Sequence, residues 1–104
     1  METQVSDIAK LNDRFRGMCI DVFYTDGIRD GIMDLVGLSR AVEDFNRFTE
    51  DNDPYGEHDF GSLKFEGQKI FWKIDYYDQQ LKYWCDPLDK TCHRVLTVML
   101  AEEY

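Results

Sequence analysis

The chain predicts an α+β domain in which three or four helices pack on a three- or four-stranded, mainly antiparallel sheet. Three observations carry that expectation. Apolar residues recur at helical spacing over Val5–Phe15 and again over Ile28–Phe48. Two strand-like runs, Phe60–Phe65 and Lys69–Tyr77, are joined by Glu66-Gly67-Gln68, a glycine-bearing hairpin connection. The 104 residues are 43% apolar and 14% aromatic, enough to form one core and too rich for intrinsic disorder. No repeat or low-complexity linker divides them, so residues 1–104 read as a single domain.

In the first helix, Val5, Ile8, Leu11 and Phe15 share a face. Thr3 or Ser6 can cap its start, Arg14 and Arg16 occupy its last turn, and Gly17 lies beyond it. Met18–Tyr24 alternates β-branched and aromatic residues and ends in Thr25-Asp26-Gly27, which reads as a short strand and a turn. The long helical segment that follows is weakened at Gly31 and Gly37. A break near Gly37, with Ser39 capping a restart, gives either one kinked helix or two short ones. In the hairpin, Leu63 and Phe65 share a face with Ile70, Trp72 and Ile74. The opposite face carries Phe71, Lys73, Asp75 and Tyr77, so both sides are expected to be covered. Leu81–Trp84 reads as a further strand. Asp86-Pro87 then opens a last helix, with Leu88, Cys92, Val95, Leu96 and Met99 at helical spacing.

Charge is the strongest functional clue. The formal net charge is −9, and five of the 21 carboxylates, Glu50, Asp51, Asp53, Glu57 and Asp59, fall within ten residues that hold no lysine or arginine. Such crowding raises the electrostatic energy of the folded state, so it serves solubility, a cation or a basic partner. It also disfavours direct binding to nucleic acid or to an anionic membrane. No apolar run approaches the roughly 20 residues of a membrane span, and Met-Glu-Thr-Gln is no secretory start, so a cytoplasmic location is expected. Three cysteines, Cys19, Cys85 and Cys92, fit reduced thiols better than a disulfide framework, and Cys85, Cys92 and His93 match no usual zinc spacing.

The acidic segment admits several chemistries. Asp51, Asp53, Gly56, Glu57 and Asp59 echo the spacing of a calcium loop, but Tyr55 and Ser62 stand where oxygen ligands belong, and no cofactor is expected. A looser divalent site using Asp51, Asp53 and Glu57 together with Asp75 or Asp78 is the stronger of the two metal readings. Glu57-His58-Asp59 sets an imidazole between carboxylates, as in a tuned general base, although adjacent residues of an extended segment point to opposite faces. The bland alternative is that His58 pins the loop to the sheet, while Asp and Asn side chains hold the turn. Trp72, Tyr76, Tyr77, Tyr83 and Trp84 read first as core. Beside carboxylates they also suit the gripping of arginine or lysine.

Four stretches resemble a family of small bacterial proteins that share a domain of unknown function. They are Leu11-Asn12-Asp13-Arg14-Phe15-Arg16, the run Phe48-Thr49-Glu50-Asp51-Asn52-Asp53-Pro54-Tyr55-Gly56-Glu57-His58-Asp59-Phe60-Gly61, then Phe71-Trp72-Lys73-Ile74-Asp75-Tyr76-Tyr77-Asp78, and Arg94–Ala101 with Glu103-Tyr104. The resemblance implies a complete single-domain protein and brings no established activity or catalytic residues to carry over. By analogy of size and charge, the expected function is that of an acidic protein-binding module. It would inhibit a nucleic-acid-binding bacterial defence complex of the anti-CRISPR or anti-restriction type, with Glu50, Asp51, Asp53, Glu57, Asp59, Asp75 and Asp78 meeting its basic surface. The alternative is a metal-assisted or acid/base enzyme centred on the Glu50 to Asp59 loop with His58.

Overall fold

Helical periodicity at the amino end is realised as α1, Asp7–Met18, opened by Ser6, whose Oγ accepts the Ala9 N–H at 3.1 Å. The structure, a computed structural model, describes residues 6–18 and 22–104. Thr3, Val5 and Cys19 lie outside the described residues, and so do residues 20 and 21 of the expected strand after α1. What is described of that strand is β1, Val22–Tyr24. Then follow α2, Asp26–Gly31, α3, Leu35–Glu43, β2, Phe60–Phe65, β3, Gln68–Tyr77, and β4, His93–Leu100. A 3₁₀ turn, Ala101–Glu103, precedes the last residue.

The four strands lie in the order β1-β4-β3-β2, with β1 and β4 parallel and the other neighbours antiparallel. This is the α+β architecture expected, with a mixed sheet. The β2–β3 hairpin closes through Glu66 and Gly67, both at positive φ (50° and 76°), as a two-residue turn of right-handed twist requires. Leu63 sits opposite Ile70 and Gly61 opposite Trp72, which puts Leu63, Ile70, Trp72 and Ile74 on one buried face. β4 matches them with Leu100, Val98 and Leu96, and α2 and α3 add Ile28, Ile32, Leu38 and Val42 to the same core. Gly61 is required by packing: a Cβ there would run into the Trp72 indole.

Four expectations are corrected. The segment expected as a last helix is β4. Its apolar spacing suits a helix, but Arg94-Val95-Leu96-Thr97-Val98 is rich in β-branched residues and pairs along its whole length with β3. Asp86 and Asp89 are spent on turns, accepting from the N–H groups of Leu88 and Thr91. The Leu81–Trp84 segment is a looped excursion that meets the sheet where Trp84 bridges Tyr77. The helical break falls after Gly31 rather than at Gly37. Asp34, not Ser39, is the cap, its Oδ1 accepting the Gly37 N–H at 2.9 Å, while the Glu66 carboxylate takes the Met33 and Asp34 N–H groups. Finally, the outer face of the hairpin is half covered rather than buried, with Phe71, Lys73, Asp75 and Tyr77 all part-exposed. There Phe60 and Phe71 pack edge-on against Tyr104.

One side chain joins these layers. Arg16 belongs to the last turn of α1 as expected, yet it is 3% exposed. Its Nε donates at 2.9 Å to the Val42 carbonyl, which also takes the Phe45 N–H at 3.3 Å, and its Nη2 donates at 2.7 Å to the Phe45 carbonyl just beyond the end of α3. The guanidinium also lies 4.7 Å from the Trp72 ring centroid and 5.4 Å from that of Phe48. Burial pulls its pKa below the ordinary arginine value, while the Asp13 carboxylate at 3.3 Å opposes that shift. An ammonium group cannot fork to two carbonyls and stack on a ring at once. Arg16→Lys is therefore expected to cost about 2 kcal/mol of stability in urea unfolding, through loss of the forked bonds to Val42 and Phe45 and of the stacking on Trp72. A loss below about 0.5 kcal/mol, the range of an ordinary surface change, contradicts this role.

Candidate functional site

The acidic loop is fastened to α1 from beneath. Ser6 Oγ donates to the Gly56 carbonyl at 2.8 Å. Asn12, fully buried, donates from Nδ2 to the Glu57 carbonyl at 2.9 Å and to the Tyr76 hydroxyl at 2.8 Å. Its Oδ1 accepts from Arg94 Nε at 2.7 Å, and Arg94 Nη2 donates onward to the Pro87 carbonyl. Asn12 and Arg16 are one helical turn apart, so a single face of α1 holds both the loop and the end of α3.

His58 belongs to that fastening. Its ring stacks on Phe48 with centroids 3.8 Å apart and planes 4° from parallel. Nδ1 lies 3.0 Å from Asp13 Oδ1, and Nε2 lies 3.6 Å from Asp53 Oδ2. The backbone of His58 is left-handed, at φ 56°, a conformation that costs energy in a non-glycine residue and is kept where surrounding contacts over-determine it. Here the over-determination is visible: Asp53, its side chain 6% exposed, accepts the N–H groups of Glu57 and His58. Asn52 accepts the Thr49 N–H and donates to the Arg47 carbonyl. The pinning role weighed for His58 and the turn-holding role of Asp and Asn both have these contacts behind them.

The outer side of the same loop makes a cleft of about 320 Å³ lined by Glu57, Asp59, Ile74, Asp75, Tyr76, Tyr77 and Trp84. Three of the expected contact residues, Glu57, Asp59 and Asp75, therefore come together, and two aromatics from the adjoining segment close the wall. Among the described residues, neither Glu57 nor Asp59 has an ion-pair partner, whereas Asp75 is held by Lys73 at 2.9 Å. The Tyr76 hydroxyl donates to Glu57 Oε2 at 3.3 Å, and burial raises the tyrosine above its ordinary pKa. Glu50 and Asp51 are exposed on the loop. Asp53 is turned inward, and Asp78 is partly engaged by the Lys82 N–H. Among the described residues, no three His, Cys, Asp or Glu side chains converge as metal ligands.

The family model described as "Protein of unknown function (DUF3768)" matches residues 24–103. The chain belongs to the DUF3768 family. The match covers the central acidic run, β3 and β4, and leaves α1 outside it. No curated protein and no solved structure matches the chain. For this DUF3768 domain the site must accordingly be read from its own geometry. No helix among the described residues is long and apolar enough to cross a membrane.

Asn12, Arg94 and Asp13 went unsingled in the sequence. For Asn12 a signal was present, because it falls on the buried side of α1 with Ala9, Phe15 and Arg16, where a polar residue needs a partner. Arg94 carries no such signal, since its partners come from α1 and the Pro87 turn.

Burial, then the neighbouring Glu57 carboxylate, pushes Asp59 from an ordinary 3.8 up to about 6. The folded state thus holds this proton more tightly than the unfolded chain does. Ionised Asp59 lowers stability above pH 6, and the penalty fades as pH falls from 6 towards 4. Asp59→Asn is expected to stabilise the protein by about 1 kcal/mol at pH 8, after allowance for solvent screening. Thermal melts should show that gain vanish near pH 4. A variant less stable than the parent at pH 8 contradicts the assignment.

Proposed function

We propose that this protein is a non-enzymatic binding module whose cleft grips a cationic side chain, arginine above all, on a basic partner protein. The observation that carries the reading is the pair Glu57 and Asp59, two carboxylates set side by side with no ion-pair partner among the described residues and walled by Tyr77 and Trp84. A carboxylate kept in a site that disfavours its charge is a mark of function more often than of stability. A guanidinium relieves the repulsion, hydrogen-bonds both acids and stacks on an aromatic face. Trp84 is 70% exposed and Tyr83 72% exposed, so the aromatic rim is open to a partner.

Glu50 and Asp51, exposed on the same loop, extend the negative field that would steer a basic surface. The partner class follows from the charge: lysines and arginines that hold nucleic-acid phosphates are the largest basic surfaces such a protein meets. An inhibitor of a nucleic-acid-binding bacterial defence complex, of the anti-CRISPR or anti-restriction type, fits that chemistry, and size and net charge support it.

Isothermal titration with an arginine-rich peptide is the direct test. Binding should weaken roughly tenfold for each of Glu57→Gln, Asp59→Asn and Trp84→Ala, and should fall as salt rises from about 0.05 to 0.5 M. It should also weaken below pH 6, as Asp59 takes up its proton. Affinity unchanged in the double Glu57→Gln, Asp59→Asn variant, with its thermal transition intact, refutes the cleft as the site.

The acid/base alternative has one observation on its side, and it moves the chemistry from His58 to Asp59. A carboxyl near 6 beside a second carboxylate is the arrangement of a proton-sharing pair. A reacting substrate in the cleft would be recognised by turnover lost in Asp59→Asn and kept in His58→Asn.

A further inference from the structure

β2 is an outer strand of the sheet, and beside it a second depression of about 610 Å³ is lined by Arg47, Ser62, Leu63, Lys64 and Lys69. This groove lies towards the hairpin turn, at the opposite end of β2 from Asp59. Its charge is contrary to that of the chain, for it gathers three cations in a protein of net charge −9. Lys64 and Lys69 stand directly opposite each other across the hairpin, a like-charge pairing that costs stability. A single edge lysine suffices to discourage aggregation. Three cations lining one depression with a serine hydroxyl exceed that need.

The ladder shows which backbone groups the edge offers. Ile74 N–H donates to the Asp59 carbonyl at 2.8 Å, so Asp59 and Ile74 form a hydrogen-bonded pair. Such pairs alternate along an antiparallel ladder, so Gly61, Leu63 and Phe65 also bond inward to β3. Phe60, Ser62 and Lys64 then turn their N–H and C=O groups outward, and among the described residues none of these groups is paired. Successive outward residues repeat at about 6.8 Å, the repeat at which a neighbouring strand presents its own groups.

The geometry points to strand addition: β2 accepts an extended peptide segment of a partner protein that bears carboxylates on alternate residues. Main-chain bonds to Ser62 and Lys64 supply the register, and Arg47, Lys64 and Lys69 select the acidic side chains. This surface is separate from the cleft and stands or falls independently of it.

The probe is a fluorescein-labelled peptide of about seven residues alternating threonine with glutamate, followed by anisotropy on the full-length chain. It should bind saturably, and binding should drop roughly tenfold or more in Arg47→Glu and in Lys64→Glu, yet remain unchanged in Glu57→Gln with Asp59→Asn. The same peptide N-methylated at alternate residues should lose affinity, because it cannot complete the ladder. Equal affinity for the N-methylated peptide, equal affinity for a neutral threonine–glutamine peptide, or no saturable binding at millimolar concentration each overturns strand addition. Melting curves of both charge-reversal variants confirm that loss of binding is not loss of fold.

Discussion

A guanidinium taken out of water must find partners, and the fold is arranged around those that Arg16 finds. Two carbonyls at the end of α3 accept its protons, Phe48 and Trp72 offer their faces, and Asp13 supplies the opposing charge. The exchange runs both ways: without Arg16 the Phe45 carbonyl loses its donor, and the Val42 carbonyl keeps only backbone N–H groups near the end of α3. Helix α1, helix α3 and the centre of the sheet are thereby fixed to one another. Because Asp13 also reaches the His58 ring, the position of α1 sets the position of the acidic loop.

That loop is two-sided. Its inner groups, Asn52, Asp53 and His58, are consumed in backbone and ring contacts that hold a left-handed turn. Glu57 divides its functions: its carbonyl is bound by Asn12 while its carboxylate meets the Tyr76 hydroxyl at the cleft. Asp59 follows the same division, its carbonyl starting the β2–β3 ladder and its carboxyl half-buried beside Glu57. The rigidity of the inner side is what keeps two like charges together on the outer one. A flexible loop would let them separate and lose the repulsion that a bound cation relieves.

The architecture was legible where periodicity was one-sided. Leu63, Ile70, Trp72 and Ile74 alternate cleanly, and the hairpin formed in the expected place. It was illegible where a segment is apolar nearly throughout: Val95–Leu100 satisfies a helical and an extended pattern alike, and pairing with β3, a tertiary fact, decides for the strand. The boundary after Gly31 depended on Glu66, a residue of the hairpin turn that caps α3 from 32 positions away. The crowding of carboxylates at 50–59 was plain from composition, and so was the proximity of aromatics to acids. Which acids face outward was not. That depends on Asp53 accepting backbone N–H groups, a geometry that the left-handed His58 creates.

The two tryptophans give the most direct reading of the account. Trp72 is fully buried beneath Arg16, and Trp84 is 70% exposed on the cleft wall, so their indole N–H resonances report on the core and on the cleft separately. In a two-dimensional ¹⁵N–¹H spectrum recorded while an arginine-rich peptide is added, the account predicts that Trp84 and the amides of Glu57, Asp59 and Tyr77 move together while Trp72 stays fixed. A saturable titration in which Trp84 and those amides remain still, or in which Trp72 moves first, contradicts it.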